Sequence, residues 1–291
     1  MTGPFPQLCF TLAAPYGAWG AASQPSATTA WKATELHPPK SAIVGLLAAA
    51  LGVERTGLAP LAAAVRIAVR TGLRPERDLR PDYHTISRAR RPADRDRWSR
   101  FEELRSALSG RDTGGSLLSA REHWSCGLWS VAITTALTDT TDGSAPALLE
   151  RMATALRTPR WPLYAGRKAC TLGLPPDPII LTEPGPVAAL SAYRWPWERK
   201  PTLMPVLQRL IELKGNRGEV ETLAWDPDYP GAPAAKATGP AADGGWVVSR
   251  VWRRDLPDPL ALPGGRIHPR FQERTELRSA FPSQPTEAGG S

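Results

Sequence analysis

Residues 41–52, Ser-Ala-Ile-Val-Gly-Leu-Leu-Ala-Ala-Ala-Leu-Gly, limit the architecture more than any other stretch. Ser41 is a good N-cap, the residues after it are strong helix formers apart from Gly45, and Gly52 can close the last turn. Apolar residues run all round this helix instead of along one stripe, so it must be buried on most faces. Such a helix needs a sheet beneath it and other elements at its sides. Extended to Val53 this is the longest apolar run, and at about 12 residues it is too short to span a bilayer.

The flanking sequence supplies those elements. Residues 7–14 read as a short buried strand that stops at Pro15, and Tyr16 to Gly20 as a glycine-bearing loop. Val65 to Arg70 alternates with period two, which predicts a strand with one polar side. Trp124 to Leu137 is a run of β-formers. Ser144 then caps a second helix with Leu148, Leu149, Met152 and Leu156 on one stripe, and Ile179 to Leu181 reads as a last core strand. The order over residues 1–185 is strand, helix, strand, long insertion (about 71–122), strand, helix, strand. That order predicts an α+β class with a ferredoxin-like (RRM-like) N-terminal domain. A proline-rich remainder, 186–282, reads as a smaller β-rich C-terminal domain. It has strands at Val206–Leu213 and Trp246–Trp252 and a flexible loop at Pro227–Gly245. A disordered tail over 283–291 completes the reading.

Charge narrows the partner. The chain of 291 residues has 36 Lys+Arg against 28 Asp+Glu, a formal +8. Residues 66–100 hold 11 Arg against 5 acids, and residues 151–172 hold five cations against no acid. Two basic patches on an otherwise slightly acidic chain point to a polyanion, with genome-driven arginine usage as the bland alternative. Cys9, Cys126 and Cys170 lie far apart, with no Cys-x-x-Cys and no even-numbered disulfide frame. No leader pattern follows Met1, and a reduced cytoplasmic setting is expected.

Candidate binding residues follow from the same segments. Lys40 and Ser41 stand at a helix start, where free N–H groups and the dipole favour an anion, and Gly45 lets a phosphate approach the first turn. A plain serine cap with a solvated lysine is the alternative. Arg160, Trp161, Tyr164, Gly166, Arg167 and Lys168 combine cations, flat rings and a glycine, a mixture suited to unpaired RNA bases. Here the alternative puts both rings in the core. Arg88, Arg90 and Arg91 head the arginine-rich insertion, fit for phosphate or for an acidic neighbouring protein, with a solvated charged hairpin as the alternative. Tyr83 and His84 sit where the second strand enters that insertion and can stack on a nucleotide, although a lone histidine is more often structural. Trp19 reads as a packing residue.

Four segments fall in order: Leu12-Ala-Ala-Pro-Tyr-Gly-Ala-Trp-Gly20, Pro39-Lys-Ser-Ala-Ile-Val-Gly-Leu-Leu-Ala-Ala-Ala-Leu-Gly52, Asp82-Tyr-His-Thr85 and Tyr164-Ala-Gly-Arg-Lys-Ala-Cys-Thr-Leu172. A fifth, Arg254-Asp-Leu-Pro257 with Arg270-Phe-Gln-Glu-Arg274, follows near the C-terminus. Together, over roughly residues 8–275, the chain resembles the CasD family of the RAMP superfamily, the type I-E CRISPR Cascade subunits that hold the 5′ handle of crRNA. It departs from them in a longer basic insertion at 86–120 and in its Pro/Gly-rich 226–245 segment. The resemblance implies that the insertion is a thumb leaning on the CasC backbone subunit, that CasA meets the other side, and that target DNA is reached through the assembled complex. It implies a binder in the cytoplasm, with no membrane and no cofactor, since a separate subunit, CasE, cuts the precursor.

Catalysis is the runner-up. Type I-C relatives are metal-independent endoribonucleases of CRISPR repeat RNA, a reaction that needs a general base and a cation. Tyr83, His84, His123 and Lys40 are the available parts, and nothing in their spacing brings them together. No His-Glu-x-x-His cluster points to a metal and no phosphate-binding glycine loop to a nucleotide. No catalytic residue is therefore assigned.

Overall fold

A computed structural model describes residues 3–21, 30–87, 116–135, 144–214, 221–233, 248–257, 260–262, 266–268 and 271–280. It is a mixed α/β protein built on one large antiparallel sheet. β1 (Phe5–Gly17), β5 (Val65–Leu73), β9 (Trp124–Thr135) and β10 (Ile179–Glu183) form one half of that sheet, side by side in the order β10-β1-β9-β5. β11 (Thr222–Trp225), β15 (Phe271–Ala280) and β12 (Ser249–Pro257) extend it beyond β5 in that order.

Alternation along β1 explains why this strand is central. Leu8, Phe10 and Leu12 face one way, onto α1 (Lys40–Leu51) and α3 (Ser144–Arg157), with α2 (Leu58–Ala64) packed beside α1. Phe5 and Cys9 face the other way, among Tyr193, Leu223, Trp225 and Leu277. A strand covered on both faces has to be apolar at nearly every position. Trp19, Trp124 and Trp129 close the α1 side as a cluster with ring centroids 5.0–5.6 Å apart.

β1 does not stop at Pro15. The Thr11 N–H reaches the Pro176 carbonyl, on the side away from β9, and the N–H of every second residue points the same way. The N–H that Pro15 lacks would face this side, where the antiparallel ladder to β9 has no use for it.

α1 ends at Gly52 as its sequence predicts, in the left-handed region (φ 73°) with its N–H on the Ala48 carbonyl. Its start differs. The helix begins at Lys40 and not after a Ser41 cap, because the Lys40 N–H is taken by the Asp255 carboxylate at 2.8 Å. A distant acid replaces the local hydroxyl.

The strand predicted at Val206–Leu213 is a helix. α4 (Pro186–Ala192), α5 (Pro196–Arg199) and α6 (Met204–Lys214) follow β10 in turn. The sequence of α6 has Met204, Leu207 and Ile211 at helical spacing, and Pro205 is tolerated in the first turn. The strand predicted at Trp246–Trp252 starts at Ser249 and runs on to Pro257, and Trp246 itself lies outside the described residues.

Within the insertion, β7 (Asp82–Ser87) pairs antiparallel with β8 (Ser116–Arg121), and β8 pairs parallel with β3 (Ala30–Lys32). Residues 88–115, including Arg88, Arg90 and Arg91, lie outside the described residues, as does the predicted tail. Among the described residues no helix is long and apolar enough to cross a membrane.

Candidate nucleic-acid interface

Three elements far apart in sequence enclose a groove of about 400 Å³. α1 contributes Ser41 and Gly45, the loop after α3 contributes Tyr164 and Gly166, and the end of the β12–β15 hairpin contributes Arg254, Pro257 and Phe271. Gly45 has no atom within 4 Å of the place its Cβ would occupy, so nothing inside the chain requires a glycine there. It leaves open space on the helix surface facing the groove.

The loop is held by the ends of other elements. The Trp161 and Arg160 N–H groups bond to the Ala49 and Ala50 carbonyls at 3.1 and 2.9 Å, satisfying orphan acceptors at the end of α1. Further on, Tyr164 bridges to Thr171, and the Ala165 and Cys170 N–H groups close a tight loop at 2.7 and 2.8 Å. Gly166 sits in this loop at φ 82°, where a side chain would overlap the Ala18 carbonyl oxygen. Only glycine lets the loop lie this close to the end of β1.

Arg254 donates from Nε to the Phe271 carbonyl at 3.4 Å and otherwise faces the groove. Asp255, beside it, is neutralised by the Lys40 N–H and by two guanidinium nitrogens of Arg274 at 2.6 and 3.0 Å. The wall thus presents one cation, two rings (Tyr164 and Phe271), a hydroxyl and a glycine gap. That inventory suits a nucleotide, with a phosphate for the guanidinium and a base for the rings.

The structure brings Ser41 and Gly45 of the helix start and Tyr164 and Gly166 of the loop, read separately from the sequence, to one groove. Lys40 is not among them. Its side chain is 6% exposed, and Nζ lies 2.7 Å from Asp226 and 3.0 Å from the Val65 carbonyl. The anion expected at this helix start is supplied from inside the chain, which corrects the phosphate role assigned to Lys40. Burial lowers the lysine pKa, while Asp226 opposes the shift.

Arg167 is also engaged. Nη1 donates to His123 Nε2 at 2.6 Å, and the Tyr16 ring stacks on the same imidazole with centroids 4.6 Å apart. An arginine has no lone pair to offer, so Nε2 is the acceptor and the imidazole proton sits on Nδ1, 3.5 Å from Asp82. Burial and then Arg167 lower the His123 pKa, which keeps the ring neutral. Arg160 and Lys168 are exposed, the former with its stem over Gly52. Trp161 is partly exposed, and Trp19 is fully packed. Tyr83 and His84 stand exposed on β7, opposite Ala120 and Ser119, in the small sheet, and neither lines the groove.

Sequence reasoning missed Arg254 and Phe271 as wall residues. Both stand in the fifth segment of the resemblance, and β12 alternates exposed and buried positions about Arg254, but nothing local shows which strand edge meets α1.

A family model described as CRISPR-associated protein (Cas_Cas5) matches residues 7–225. A solved chain from a CRISPR RNA-guided surveillance complex is 19% identical, with a TM-score of 0.48, over 97% of this chain and 95% of the other. A solved Cas protein is 22% identical, with a TM-score of 0.40, over 93% and 94%. No curated protein matches.

Proposed function

We propose, from the premise that this chain belongs to the Cas5 family of CRISPR-associated proteins, that it is a non-catalytic RNA-binding subunit of a type I-E Cascade surveillance complex. In this reading it holds the 5′ handle of crRNA and joins the CasC backbone to CasA, within a cytoplasmic ribonucleoprotein that engages target DNA. The observation that carries the reading is the groove, where Ser41, Gly45, Tyr164, Gly166 and Arg254 converge with no uncompensated acid.

A ferredoxin-like RAMP core over 1–185 is supported by the order β10-β1-β9-β5, in which the fourth, first, third and second strands of a βαββαβ unit lie side by side. The β7–β8 hairpin is the base of the thumb, between the second and third of those strands. We read 186–282 as the second, β-rich unit: after the helices α4 to α6, its strands β11, β15 and β12 continue the same sheet beyond β5.

The test is retention of crRNA by the complex carrying Tyr164→Ala and Arg254→Ala together. A loss of at least tenfold is expected, at about 1–3 kcal/mol per stacked base. Retention equal to the parent complex refutes the groove as the RNA site.

Endoribonuclease activity is the second reading, and one arrangement favours it: a neutral His123 imidazole held by Arg167 under the Tyr16 ring. Against it, His123 is only 4% exposed, a poor position for reaching a 2′-hydroxyl. Incubating the pure chain with end-labelled repeat RNA and a chelator separates the two readings, since site-specific cutting sinks the non-catalytic one.

A further inference from the structure

β12 lies at an outer edge of the large sheet, and its side chains alternate. Arg253 and Asp255 point inward, to the ionic cluster around Arg274 and Glu276. Arg250, Trp252 and Arg254 point outward and are exposed, the indole by 71%. A large ring left in water on an edge strand forgoes burial and invites association, so its position calls for an occupant. Arg250 and Trp252, at i and i+2 before the irregularity that follows Arg253, stand about 6.6 Å apart, and Arg254 continues the exposed row beyond them. That row runs into the groove, because Arg254 belongs to both.

We propose that Arg250, Trp252 and Arg254 form a second subsite for single-stranded RNA, continuing the groove along the outer face of β12. The nucleotides next to the one in the groove pass over this row, one base stacked on Trp252 and the flanking phosphates on the two arginines. The proposal rests on the RNA reading of the groove and extends its footprint. Charge favours RNA over an apolar protein surface: two cations bracket the ring, and the row stays net positive even with Glu273, opposite the irregularity after Arg253, counted against it. The inward side chains add rigidity, because Arg253 and Asp255 are tied down by buried charges on the strand that carries the outward ones.

Fluorescence anisotropy of the full chain with two labelled RNAs tests this. One is a trinucleotide, sized for the groove, and the other a decanucleotide that reaches past it. Trp252→Ala is expected to weaken the decanucleotide about tenfold, one stacked base's worth, and to leave the trinucleotide unchanged. Trp252→Phe should restore most of the loss, and the unfolding temperature should not move, since the ring fills no core. Decanucleotide binding unaffected by Trp252→Ala overturns the subsite, and so does loss of a protein partner with RNA binding intact. Tyr164→Ala is the groove control. If it weakens both RNAs while Trp252→Ala is silent, the groove stands and the row falls. If it is silent while Trp252→Ala costs tenfold, the row stands and the groove falls. A parent chain that binds neither RNA removes both.

Discussion

The Lys40 ammonium lies 2.7 Å from the Asp226 carboxylate, and both side chains are buried to 6% exposure or less. Lys40 opens α1 while Asp226 follows β11, so the pair ties the groove helix to the strand that continues the sheet beyond β5. Arg274 reaches the other Asp226 oxygen at 2.9 Å and Asp255 at 2.6 Å, so the C-terminal hairpin joins the same knot.

Lys40→Ala should therefore act on stability. It takes one of two cations from a buried carboxylate that keeps Arg274 on its other oxygen, and should lower the unfolding free energy by about 1.5–3 kcal/mol, measured by urea titration. The salt dependence of RNA binding by the folded protein should stay as it was. A flatter salt slope at unchanged stability would put the ammonium on RNA after all.

Gly45→Ala should move two observables in opposite directions. Alanine in a helix interior is favoured over glycine by about 0.8–1.0 kcal/mol, and the site has room for the methyl. The melting temperature should rise while RNA affinity falls, because the methyl projects into the groove. Higher stability with unaltered affinity means that nothing approaches the helix there.

Arg254→Ala should weaken RNA binding across sequences and reduce the slope of log K against log salt by about one. The change is on the surface, so calorimetric unfolding should be nearly unaffected. An unchanged slope rules out a phosphate contact at this position.

Acid should loosen the hairpin. Burial alone would raise the Glu276 carboxyl, but His37, Arg253, Arg274 and Arg278 outweigh it and hold its pKa down to about 2. The unfolded chain takes up this proton near pH 4.3, so the contribution is complete above that pH and is lost as pH falls towards 2. Its size is about 3 kcal/mol. In Glu276→Gln the pH dependence of unfolding between about 4.3 and 2 should flatten by that amount, and a parallel curve would show that the carboxyl is not depressed.

Local pattern and remote pairing separate what was legible from what was not. β5 announced itself by strict alternation and α1 by its uninterrupted apolar surface with Gly52 behind it, both written within a dozen residues. α6 misled because Val206 and Ile211 favour strands, and a short apolar run with β-branched members cannot be assigned by period alone. The site shows the same division. Tyr164 and Gly166 belong to one loop whose composition suits RNA, whereas the true partner of Lys40 stands 186 positions further along the chain. A helix start rich in free N–H groups advertises for an anion without revealing that the protein provides its own.

The groove's third wall has a consequence for biosynthesis. Its helix and loop are made first, and Arg254 and Phe271 leave the ribosome well after them and must add β12 and β15 beyond strands already laid down. A nascent chain holds only two sides of the cradle, and pairing across such sequence separation is slow. On the RNA reading of the groove, capture of a guide therefore waits until both hairpin strands are paired, which shields an incomplete cradle from seizing transcripts it could not retain.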